Sequence, residues 1–120
     1  AQVMTVLVRE LRLVLLALQF LTRVPVPAWV GFDAALMRRA VRHFPLVGAL
    51  VGAFCAGVLL AAGHLWPPAI AAALAVAATV WLTAAFHEDG LADTCDALLG
   101  AASREKALAI MKDSRIGTYG

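Results

Sequence analysis

Apolar and polar residues fall into blocks along this chain, and the blocks predict its elements. Leu13 to Leu21 is almost wholly Val, Leu and Ala, and Arg9, Glu10 and Arg12 precede it, so residues 3–22 read as one helix. Its uncharged part is shorter than the ~20 apolar residues of a membrane span. An interfacial or re-entrant helix is therefore expected. Thr22-Arg23-Val24-Pro25-Val26-Pro27 ends it, because the two prolines remove donors and favour extended backbone. Prolines rather than a small-residue cleavage site follow the apolar run, so no signal peptide is expected. Asp33 is placed to cap a short helix running through Met37 to Val41.

From His43 to His87 there is no Asp, Glu, Lys or Arg. Pro45 to Trp66 reads as a transmembrane helix with proline in its first turn. Pro67-Pro68 breaks the chain, and Ala69 to Phe86 reads as a second span. Gly48 and Gly52 form a small-xxx-small pair, with Gly57 further on, that lets another helix approach closely; a homo-oligomer is a separate candidate assembly. Arg9, Arg12, Arg23, Arg38, Arg39 and Arg42 precede the first span, and Arg104, Lys106, Lys112 and Arg115 follow the second. The connecting turn has no Lys or Arg, so residues 87–120 are expected on the cytoplasmic side. Arg38, Arg39 and Arg42 suit either a positive-inside anchor or contacts to anionic head groups or phosphates.

Composition agrees with this reading. The chain is 62% hydrophobic and 15% charged with a mean hydropathy of +0.85, where soluble domains carry roughly 25% charged residues. The fold class is therefore all-α: polytopic integral membrane helices with short interfacial or cytoplasmic helices. At 120 residues it is expected to be a single membrane domain, 1–120, in contact with the lipid bilayer. A net charge of +2 with scattered basic residues excludes a nucleic-acid partner. Cys55 and Cys95 lie in different surroundings and are read as reduced thiols.

Candidate chemistry begins where the charges return, at His87-Glu88-Asp89-Gly90-Leu91-Ala92-Asp93-Thr94-Cys95-Asp96. On a helix Asp89, Asp93 and Asp96 stand at i, i+4 and i+7, on one face. Such carboxylates repel unless a hard cation joins them, and Mg²⁺ takes oxygen ligands shared with substrate phosphates. Asp89 as an N-cap with Asp93 as a first-turn acid accounts for the same residues without a metal. His87 could orient a ligand, carry a proton, or simply end a helix. Gly90 would let backbone come near metal or substrate. Ser103 can cap a helix through Lys112. The segment Lys112-Asp113-Ser114-Arg115-Ile116-Gly117-Thr118-Tyr119-Gly120 has the parts of an anion-binding loop: cations, hydroxyls and glycines for close approach. An ordinary loop with a surface ion pair has the same parts.

Four stretches occur in order: Phe20 to Pro27, Phe44 to Gly48, His87 to Asp96 and Met111 to Gly120. Together they resemble the adenosylcobinamide-GDP ribazoletransferase (cobalamin synthase) family across nearly the whole chain. The resemblance implies a multi-pass enzyme of the bacterial inner membrane that needs Mg²⁺. It implies transfer of the adenosylcobinamide phosphate group from adenosylcobinamide-GDP to α-ribazole or its 5′-phosphate, releasing GMP. By motif match, Asp89, Asp93 and Asp96 are the implied metal ligands, and Lys112, Asp113, Ser114 and Arg115 the second active-site segment. Asp96 or Asp113 is a candidate base, Lys112 or Arg115 holds the GMP-side phosphate, and Gly90, Ser114, Arg115, Arg23 and His87 are expected at the substrate. Ala97 stands where the family pattern has glycine, and the chain is expected to be the N-terminal part of a longer enzyme. The other readings are a CDP-alcohol-type membrane phosphotransferase and a non-enzymatic membrane subunit with an acidic, cation-binding mouth.

Overall fold

The structure is a computed structural model that describes residues 2–120. Those residues are helical with no strand among them. They divide into two compact units, 1–84 and 85–120.

The first unit contains α1 (Gln2–Leu21), α2 (Ala34–Ala40), α3 (Phe44–Gly63) and α4 (Pro68–Leu82), with 3₁₀ turns at Ala28–Val30 and Val41–His43. Its core is built from Leu13, Leu16 and Ala17 of α1, Val30, Ala40 and Val47, with Phe20 and Phe44 stacked beside it. The expected interfacial helix therefore supplies the packing stripe that orders its neighbours. Asp33 caps α2 as its spacing requires, accepting from the N–H groups of Ala35 at 2.7 Å and Leu36 at 3.0 Å. Glu10 gathers Arg42 and His43, the latter at 2.9 Å, which ties the end of α2 to α1. Arg42 is thereby part of a local ion pair, whereas Arg38 and Arg39 remain exposed.

Ala34–Gly63 forms a continuous run long and apolar enough to cross a membrane, and only 11% of its most apolar window is buried within the protein. Small side chains bring α3 and α4 together, with Ala62, Ala71 and Ala75 buried. These glycines are not used for this contact: nothing lies within 4 Å of a Cβ built at Gly48, Gly52 or Gly57.

The second expected span, Ala69 to Phe86, is shorter than its apolar pattern. α4 stops at Leu82 after 15 residues, or about 22 Å at 1.5 Å per residue. A hydrocarbon core is ~30 Å thick. The cause is tertiary. Arg23 brings its backbone N–H to Leu82 O at 2.8 Å and its guanidinium Nε to Trp81 O, and the guanidinium lies 4.9 Å from the Trp81 ring centroid. These donors bond to carbonyls of the last turn, of which Trp81 O also accepts from the Ala84 N–H at 3.2 Å. Ala84 and Ala85 then adopt left-handed backbone, φ 53° and 56°, a conformation costing a non-glycine residue ~1–2 kcal/mol.

The second unit is α5 (Phe86–Gly100), α6 (Arg104–Lys112) and the loop through Gly120. Ser103 caps α6, accepting from Lys106 N–H at 3.3 Å. Ala97 lies fully buried within α5, so alanine at this position is compatible with unbroken helix.

Candidate active site

α5 begins at Phe86, so Asp89 is a first-turn residue beside Glu88 rather than the cap, a position favoured by the helix dipole. Asp89 and Asp93, one turn apart, line a cavity of about 290 Å³. Ala92, Asp113, Ser114, Arg115 and Ile116 form the rest of its wall. This brings the acidic motif and the loop motif to one place.

Asp96 is not in that cavity. It lines a neighbouring one of about 420 Å³, with Ile110, Ile116, Thr118 and Tyr119. Asp96 is 7% exposed, and its carboxylate accepts two backbone hydrogen bonds, from Gly117 N–H at 2.6 Å and Gly120 N–H at 2.7 Å. Among the described residues no three His, Cys, Asp or Glu side chains are gathered closely enough to hold a metal ion. The geometry of a helix explains why the i, i+4, i+7 pattern does not converge. Asp96 shares a face with Asp89 but sits about 10 Å further along the axis.

Asp113 and Arg115 form a fork-to-fork pair. Arg115 donates from its backbone N–H and Nε to Asp113 Oδ1, both at 3.0 Å, and from an η nitrogen to Oδ2 at 2.7 Å. The guanidinium is the main reason that the Asp113 carboxyl is lowered from 3.8 to about 2, with the backbone N–H second. The same contact raises Arg115 above the ordinary arginine value. A depressed carboxyl pKa means that the pairing is complete above the ordinary value and is lost only as pH falls through about 2. The pair is therefore intact at any physiological pH. NMR titration in detergent micelles is expected to give an Asp113 midpoint near 2, and Arg115→Ala to return it toward 3.8.

Lys112 ends α6 and is exposed, lining neither cavity. Gly90 is exposed with open space where a Cβ would stand, and its carbonyl accepts from the Thr94 hydroxyl at 2.7 Å. His87 is exposed and meets the Phe86 ring edge-on at 5.5 Å between centroids. Arg23 has the structural role at α4 described above, which no sequence signal indicated. Tyr119 is a site feature that sequence reasoning passed over: it lines the larger cavity and packs on Gly100, where an added Cβ would stand 3.6 Å from its ring.

The sequence profile of the cobalamin-5-phosphate synthase family matches residues 13–120. The chain belongs to this family. The adenosylcobinamide-GDP ribazoletransferase of Leptothrix cholodnii is 61% identical over 117 residues, which cover 98% of this chain and 44% of that protein. The enzyme of the same name from Shewanella amazonensis is 53% identical over 112 residues, 93% of this chain and 43% of the relative. That of Albidiferax ferrireducens is 52% identical over 115 residues, 88% and 41%. The chain thus spans less than half the length of the curated relatives it matches. No solved structure matches it. In this member of the cobalamin-5-phosphate synthase family, the matched region includes both motifs and both cavities.

Proposed function

We propose that the full-length protein containing this chain transfers the adenosylcobinamide phosphate group from adenosylcobinamide-GDP to α-ribazole or α-ribazole 5′-phosphate. A ribose hydroxyl of the acceptor forms the new P–O bond at the cobinamide-side phosphorus, the diphosphate P–O bond breaks, GMP leaves, and the hydroxyl proton passes to the departing phosphate or to water. The observation that carries this reading is the meeting of Asp89 and Asp93 with Ser114 and Arg115 around one cavity, in a chain so close to enzymes of that name.

The donor set suits Mg²⁺. It offers only hard oxygen ligands, and Mg²⁺ usually takes one or two carboxylates, keeping its other positions for water and substrate phosphate. Asp89 and Asp93 would hold it, and Asp96 is not needed. When bound, the ion supplies charge neutralisation to the diphosphate oxygens. The chain's own residues do the positioning that dominates phosphoryl transfer. Arg115, aimed by Asp113, receives the GMP-side phosphate with its planar fork, and the Ser114 hydroxyl donates to a diphosphate oxygen. Asp113, at a pKa of about 2, is too weak a base to draw the hydroxyl proton, and Asp96 is engaged by two amides. The loose transition state of phosphoryl transfer asks little of a base.

For the membrane we propose that Ala34–Gly63 crosses the bacterial inner membrane and that the chain returns over the short α4 where the bilayer thins locally to match it, so that residues 85–120 work at the cytoplasmic face. The arginine distribution supports this orientation. Gly48, Gly52 and Gly57 leave room for another helix, from the remainder of the protein or from a second copy.

The test is GMP release by the full-length protein in membranes, given adenosylcobinamide-GDP and α-ribazole with and without Mg²⁺. Release is expected only with both acceptor and metal. Faster turnover of a CDP-alcohol donor would replace this reading by the lipid-head-group one, and no release from either donor would overturn transfer altogether.

A further inference from the structure

The loop after α6 carries the parts for binding an anion, and the anion it holds is the chain's own Asp96. A carboxylate this buried costs free energy unless it is hydrogen-bonded. Both Asp96 oxygens are satisfied, one by each amide, at 2.6 and 2.7 Å. These are the short lengths of charge-assisted bonds. The glycines are explained by the same contact. Neither Gly117 nor Gly120 has positive φ, so left-handed backbone is not what either position requires. What both require is room. A Cβ on Gly117 would stand 2.5 Å from Asp96 Oδ1, and one on Gly120 2.5 Å from Oδ2 and 3.0 Å from Ala92 O. Between the anchored glycines and the end of α6 lies the short stretch that carries Asp113, Ser114 and Arg115.

We propose that Asp96 is a positioning residue: its carboxylate clasps the Gly117 and Gly120 amides and so holds the 113–116 stretch against α5, fixing Ser114 and Arg115 opposite Asp89 and Asp93. Its effect on turnover passes through the loop, and it is neither a metal ligand nor a base. The kinetic consequence rests on the transfer reaction proposed above; the clasp itself does not.

Asp96→Asn is the informative change. The amide has the same shape, but only one of its two ends can accept a hydrogen bond, so one glycine N–H must face a donor. Hydrogen–deuterium exchange of the full-length protein in detergent reads the clasp without any turnover. Exchange across 113–120 is expected to rise about tenfold or more in Asp96→Asn and in Gly117→Ala, in line with loss of a charge-assisted bond, while α1 to α3 stay protected. Unchanged exchange in Asp96→Asn overturns the clasp even if the protein transfers nothing.

In the GMP assay both variants are expected to raise the KM for adenosylcobinamide-GDP about tenfold or more, with half-activating Mg²⁺ unchanged. The double variant should be no worse than the poorer single one, because both break one unit. A tenfold rise in half-activating Mg²⁺ confined to Asp96→Asn would make Asp96 a ligand and overturn the proposal. A lower KM in that variant would also overturn it, since the carboxylate would then be competing with substrate phosphate for the two amides.

Discussion

Asp89→Asn or Asp93→Asn in the full-length protein is expected to cut Mg²⁺-dependent GMP release by roughly 100-fold or more, above the 10–100-fold typical of groups that only support a metal's ligands. Asparagine keeps the shape and one oxygen but removes the charge that attracts a hard cation. Both side chains line the 290 Å³ cavity and neither is tied up by a loop amide as Asp96 is. What activity remains should need more Mg²⁺ for half-activation, in contrast to the unchanged Mg²⁺ requirement expected of Asp96→Asn. Membrane insertion and helix content should match the parent, since Asp89 is exposed on α5 and supports no core. Parent-like turnover at parent-like Mg²⁺ in either variant would remove that residue from the ligand set.

The difference between Asp96 and its two neighbours marks how far the sequence could be read. Spacing assigns a face once a helix forms, and α5 is helical over all three acids. Spacing does not assign depth along the axis or the partner across the gap, and those separate Asp96 from Asp89. Likewise the glycines of the last loop signal close approach to an anion. Nothing local says that the anion is a buried side chain more than 20 residues earlier. The caps at Asp33 and Ser103 were legible because capping is decided within four residues. The end of α4 was not. Its apolar run continues to Phe86, while the helix stops at Leu82, where Arg23, distant in sequence, takes the terminal carbonyls. Hydropathy cannot register a contact of that kind. The same limit explains the Gly48–Gly52 pair of α3: its spacing promises a helix neighbour, but α4 leaves open space at both glycines.

Arg115 is expected to give the second large effect, and its variants separate charge from shape. The side chain is 86% exposed, and among the described residues its ion-pair partner is Asp113, two residues away. An exposed pair of this sort contributes about 0–1 kcal/mol, so giving up Asp113 for a doubly charged phosphate costs little. Asp113 then serves to hold the fork near both cavities until the donor arrives. Arg115→Ala should lower kcat/KM by about 100-fold, the scale found when one fixed donor to a developing oxyanion is removed. Arg115→Lys keeps the charge but offers a point donor in place of a planar fork, so it should recover only part of that loss and mainly through KM. Asp113→Asn should be milder than either, because the cation remains and is merely less well aimed. If Asp113→Asn were instead as damaging as Arg115→Ala while Arg115→Lys was harmless, the carboxylate would be the group that meets substrate or metal, and the roles given to the two residues would have to be exchanged.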